Sequence, residues 1–137
     1  MTLNKEERDT IVAVRLQRSY KTMSEAISNI ENNCWHTAAN RLYYACYYAV
    51  CALLIKNGIT AHTHVGAINQ LGLHFVRNGI INNNMNKFYR NLYNLRQDSD
   101  YDDWIVVNES DIKPLVEPAE KFIAAIESLI NNSPTTE

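Results

Sequence analysis

Residues 38–55, AANRLYYACYYAVCALLI, run for eighteen positions with one permanent charge, Arg41. Such a segment has few ways to fold. Its length approaches that of a membrane span, yet Asn40, Arg41 and four tyrosines would face hydrocarbon, where polar and ionised groups are costly. No membrane association is therefore expected. Apolar residues at Trp35, Ala38, Ala39, Leu42, Cys46, Ala49, Val50 and Leu53 come at three- and four-residue steps. A helix apolar nearly all round belongs in the middle of a bundle. Gly58 supplies the left-handed residue that ends such a helix.

The remaining segments are partners for this central helix. Asn4, with Glu7 three residues on, caps a first helix whose stripe is Val12, Leu16, Tyr20, Met23, Ile27 and Ile30. Thr63 caps a third, running through Val65, Ile68, Leu71, Phe75 and Val76 to Gly79. A fourth starts near Asn83 and carries Met85, Phe88, Leu92 and Leu95; a fifth runs from Ile112 to Ile130, with Pro118 set to kink it or mark where its regular part begins. No stretch alternates apolar and polar residues, so strands are not expected. The expected architecture is all-α, an up-and-down bundle of four or five helices. It occupies one domain over residues 1–132, with 133–137 a disordered tail.

Charge and cysteine usage narrow the function. The net charge is −2, so any nucleic-acid contact must be local rather than a property of the whole surface. Cys34, Cys46 and Cys51 form no CxxC pair, a pattern suited to reduced thiols in a cytoplasmic protein. The N-terminal MTLNKEERDT lacks the apolar core of a signal peptide.

The sequence resembles the HEPN domain family, named for higher-eukaryote and prokaryote nucleotide-binding proteins. The residues that carry the likeness are AANRLYYACYYAVCALLIKNGI (38–59), THVGAINQLGLHFVRNG (63–79) and NLYNLRQDSDYDDW (91–104). In order they give N-R-x-Y-Y-A, T-H-x-G and R-x-x-x-D-Y. The resemblance implies a compact helical bundle that pairs as a homodimer, with the fourth helix and Arg96 near the symmetry axis. It also implies a minimal nucleotidyltransferase as partner in a toxin–antitoxin or defence system, with nucleotide or RNA as ligand.

Many members of that family are metal-independent endoribonucleases with an R-x(4–6)-H motif, the arginine holding the phosphate and the histidine moving protons. Here Arg96 precedes Tyr101, Asp102 and Asp103, and no histidine occurs after His74. Tyr101 can hydrogen-bond a phosphate, but a phenol is a poor base at neutral pH. An imidazole would have to come from His62 or His64. The leading expectation is a non-catalytic binding subunit. The alternative is a ribonuclease with a degenerate motif. Catalytic candidates are Arg96, Tyr101 and His64; ligand or RNA contacts are Arg96, Tyr101, His62, His64 and Tyr44. A nucleotidyltransferase in its own right is excluded, because that chemistry needs paired aspartates on a sheet.

The acidic run RQDSDYDD (96–103) admits two readings. Asp98, Asp100, Asp102, Ile105 and Glu109 match positions of a calcium loop, but Asp103 stands where the turn needs glycine. The preferred reading is a structural ion pair of Asp98 or Asp100 with a buried Arg41, since an unpaired buried charge is very costly. No metal and no cofactor are expected. Tyr43, Tyr44, Tyr47 and Tyr48 fit core packing or a base-stacking platform, with the core preferred. Arg8, Arg15 and Arg18 share a flank of the first helix, by default a solvated face.

Overall fold

The computed structural model describes residues 3–132; the tail expected at 133–137 lies outside them. The order is α1 (Lys5–Glu31), α2 (Trp35–Lys56), α3 (His64–Leu71) leading into a π-helical turn (Gly72–Val76), α4 (Asn83–Tyr101), α5 (Glu109–Ile112) and, after a 3-10 turn (Lys113–Leu115), α6 (Val116–Asn132). No strand occurs among the described residues. The all-α bundle expected from periodicity is the observed architecture.

Side-chain caps define where the helices begin. Asn4 accepts from the Glu7 N–H while Glu7 reaches back to the Asn4 N–H, a reciprocal pair that satisfies two free donors of the first turn. Thr63 accepts from Gly66 N–H at 2.8 Å, and Asn82 accepts from Met85 N–H at 2.8 Å. The turn from α1 to α2 needs a residue at φ 59°, supplied by Asn33, and the chain leaves α2 through Gly58 at φ 69°.

α2 is the central element and packs against α1, α4 and α6. Ala38, Ala39, Ala45, Ala49 and Ala52 are fully buried, and these small side chains bring α1 close. The buried Ser19 hydroxyl donates to the Ala45 carbonyl at 2.6 Å, which satisfies the one polar atom Ser19 brings into that seam. On the other side a ring column crosses the bundle. Tyr43 of α2 stacks on Tyr89 of α4 (6.0 Å between centroids), and Tyr89 on Phe122 of α6 (5.4 Å).

Three local expectations are corrected. The third helix does not run regularly to Gly79, because the register changes to π spacing at Gly72. The fifth helix is not continuous from Ile112, because a 3-10 turn at Lys113–Leu115 breaks it around Pro114. Pro118 takes the second of its two expected roles and marks where the regular part begins: it lies in the first turn of α6, where few backbone bonds need its missing N–H. Tyr20, expected in the α1 core stripe, is 43% exposed and hydrogen-bonds Glu127 on α6. Among the described residues no helix is long and apolar enough to cross a membrane.

Candidate functional site

One face of α4 carries Tyr89, Tyr93, Arg96 and Asp100, spaced four, three and four residues apart, so all look toward α2. Opposite them α2 presents Asn40, Tyr43, Tyr44 and Tyr47. Arg96 is the residue they enclose, only 4% exposed. Its Cζ lies 5.1 Å from the Tyr43 ring centre, 5.3 Å from Tyr44, 5.7 Å from Tyr93 and 6.0 Å from Tyr101. Each such contact is worth roughly 0.5–2 kcal/mol depending on desolvation.

The polar side of this guanidinium is poorly met. Its nearest carboxylate is Asp100, 3.7 Å from Nη1, beyond good hydrogen-bond range. Its Nε is buried and makes no hydrogen bond among the described residues. A guanidinium has five N–H donors, so Arg96 holds unspent capacity for an anion.

His64 completes the cluster from α3. Thr63 caps that helix and so fixes its first residue, His64. Gly66 lets the cap form, because a Cβ there would stand 2.9 Å from Thr63 Oγ1. The T-H-x-G signature is thus a cap that aims an imidazole. His64 Nδ1 and the Tyr43 hydroxyl share a hydrogen bond of 2.7 Å, and the imidazole lies 4.5 Å from the Tyr47 ring centre. Burial, with the Arg96 charge adding to it, holds the His64 pKa below the usual imidazole value, which favours the neutral ring. Burial also lifts the Tyr43 phenol well above the ordinary range and Tyr47 to about 12, so both remain protonated donors.

Of the residues picked out in the sequence, Arg96, His64 and Tyr44 converge, and Tyr101 stands at the rim, 74% exposed. His62 is exposed in the loop before α3 and is not part of this ring cluster. Tyr89 and Tyr93 join the site without belonging to any motif, although the spacing 89, 93, 96, 100 places them on the face of Arg96. Asn40 enters the sequence reading only as the first residue of N-R-x-Y-Y-A.

The expected pairing of Arg41 with Asp98 or Asp100 does not form. Arg41 pairs with Glu25 of α1 at 3.3 Å, and both side chains reach solvent, at 29% and 46% exposed. Asp98 is exposed on α4. Asp100 reaches Arg41 only through Asn40, whose amide donates to Asp100 at 3.1 Å and whose carbonyl accepts from Arg41 Nη2 at 2.8 Å. The buried arginine served by the acidic run is Arg96 on its own helix. A solvent-exposed pair is worth about 0–1 kcal/mol. Arg41→Ala should therefore lower the unfolding free energy by no more than that, and a loss of several kcal/mol in urea titration would contradict the arrangement. Asp98 and Asp100 also lie within α4, so they cannot begin a calcium-binding loop.

Comparison with known proteins identifies the family. The profile of the HEPN domain matches residues 12–129, from the second turn of α1 through most of α6. The chain belongs to the HEPN domain family. A Thermotoga maritima relative named "UPF0332 protein" is 32% identical over 126 residues, covering 92% of this chain and 96% of that one. A Methanocaldococcus jannaschii relative named "Putative toxin" is 31% identical over 129 residues, covering 94% and 90%. A second protein of that archaeon with the same designation is 26% identical over 109 residues, covering 79% and 74%. Arg96 and the imidazole of His64 on α3 both lie within the matched residues.

Proposed function

We propose that this chain is a toxin-like HEPN subunit that binds RNA or a nucleotide at the Arg96 centre, as a homodimer acting with a minimal nucleotidyltransferase. The observation that carries the reading is the condition of Arg96: buried, ringed by Tyr43, Tyr44, Tyr93 and Tyr101, with an unmet Nε and one distant carboxylate. A phosphate oxygen would meet the free donors, and charge-assisted bonds of that kind are the strong ones. The toxin designations of two relatives support the system assignment. The dimer draws support from Tyr101, Trp104 and Val106, exposed at 74%, 91% and 77% just beyond Arg96. An exposed apolar segment of this kind marks an interaction surface.

A second reading is favoured by one observation, the imidazole of His64 placed within the Arg96 ring cluster with its Nδ1 bonded to the Tyr43 hydroxyl. In that reading Arg96 holds the phosphate and His64 takes the proton of the 2′-hydroxyl, whose oxygen bonds to phosphorus as the P–O5′ bond breaks. The leaving 5′-oxygen takes a proton from water, giving metal-independent RNA cleavage. The test is titration of a labelled short RNA with wild-type protein, together with light scattering and a cleavage assay. Binding that weakens by about 10- to 100-fold in Arg96→Ala supports the site, since charged hydrogen bonds are worth about 1.5–3 kcal/mol. Unchanged binding sinks it. A solution mass of only 15.7 kDa refutes the dimer. Cleavage abolished by both His64→Ala and Arg96→Ala promotes the second reading over the first.

A further inference from the structure

The open face between α1 and α2 repeats the Arg96 arrangement at its surface. Tyr44 lies between two cations, with Arg96 Cζ 5.3 Å from its ring centre and Arg41 Cζ 5.4 Å from it. One turn along α2, the Tyr48 ring is 5.9 Å from Tyr44 and has Arg18 Cζ of α1 5.4 Å from its centre. Arg96, Tyr44, Tyr48 and Arg18 therefore form one continuous row, with Arg41 alongside. Tyr44 and Tyr48 are only half-buried, unlike Tyr43. At the far end the row opens into a shallow hollow of about 370 Å³, whose lining includes Arg18, Lys21, Arg41, Tyr48 and Glu25. Three cations there face one carboxylate, which Arg41 already engages. The local sign is thus opposite to the net charge of −2 for the whole chain.

We infer that this row is a binding track for single-stranded RNA, leading from the Arg96 centre across Tyr44 and Tyr48 to the Arg18–Lys21–Arg41 hollow. The inference rests on the RNA-binding reading above and adds a second subsite to it. The guanidinium planes that lie over Tyr44 and Tyr48 are themselves stacking surfaces for unpaired bases, and their charge meets the backbone phosphates. A duplex hides its base faces and would gain nothing from these planes. The arginines need not come from a basic protein, because binding of this kind depends on the local field.

The experiment measures anisotropy of labelled diuridylate and decauridylate with wild type, Arg96→Ala and the double variant Arg18→Ala/Tyr48→Ala, over a range of salt. Circular dichroism checks that each variant is folded; Arg18 is exposed and Tyr48 half-buried, so neither change opens the core. In wild type, affinity should rise from the dimer to the decamer. In the double variant that rise should shrink by about tenfold or more, given what one stacked base and one phosphate contact contribute. The salt dependence for the decamer should become shallower. A decamer affinity equal to wild type overturns the track, as it would if this face served a protein partner or a second copy. Equal losses for dimer and decamer also overturn it, because the variants then act on the Arg96 centre. Wild type that binds neither oligonucleotide overturns the RNA half of the Arg96 reading, and the track with it.

Discussion

Arg96→Met is expected to weaken the proposed ligand binding strongly while leaving the bundle as stable as wild type, or more so. The two effects share one cause. A guanidinium 4% exposed has given up most of its hydration, and its return is rings at 5.1–6.0 Å and one carboxylate at 3.7 Å. Buried ion pairs are often replaced by apolar groups of similar volume with a neutral outcome or a gain of about 1–4 kcal/mol. Methionine fills much of the same space and makes favourable contacts with aromatic rings. Asp100, which loses its partner, is 28% exposed and can be solvated, so no uncompensated charge is left buried. Affinity for a labelled RNA should meanwhile fall by about 100-fold, the upper range for charge-assisted bonds. Urea denaturation and anisotropy on the same sample decide it. If stability drops by about 3 kcal/mol or more, as when a buried pair is broken, and binding persists, Arg96 is a structural residue.

The bundle is legible in the sequence because its signals are local. Asn4 with Glu7 and Thr63 announce helix starts by side-chain chemistry, and the period of α2 announces burial. What the sequence hides is angular. Arg41 reads as a core residue because α2 is apolar as a whole, but burial is decided by the direction of each side chain. Position 41 faces Glu25 and solvent at the edge of the α1 contact. The burial of Arg96 is not visible in NLRQDSD around it, and follows from the face it shares with buried Tyr89 and Leu92. The acidic run does serve a buried arginine, but that arginine is Arg96 rather than Arg41. The π turn at Gly72–Val76 has no composition cue. The imidazole is visible as His64, but its arrival beside Arg96 depends on the packing of α3 against α2, which no motif spacing reports.

Tyr43 is where the core and the site become the same structure, and its two variants should separate them. The side chain is fully buried, stacks on Tyr89 toward the core, lies under Arg96 and holds His64 through its hydroxyl. Tyr43→Ala removes the first ring of the column that continues through Tyr89 to Phe122. Deleting a buried ring typically costs about 3–5 kcal/mol, a large fraction of the 5–15 kcal/mol, roughly, that a domain has. That variant should therefore be marginally folded, with a steep fall in its urea midpoint. Tyr43→Phe keeps the ring and removes only the bond to His64, a loss of about 0.5–1.5 kcal/mol. It should fold normally, yet nitrogen-15 NMR of His64 should show the two ring tautomers mixing once Nδ1 loses its fixed partner. If Tyr43→Ala is tolerated within about 1 kcal/mol, the ring column is not part of the core that this packing implies. If Tyr43→Phe leaves the His64 spectrum unchanged, the hydroxyl does not orient the imidazole. A damaged fold in one variant and a freed imidazole in the other is the expected combination for a site built from the inner residues of a bundle: the ring that supports Arg96 from below is the one that sets His64 beside it.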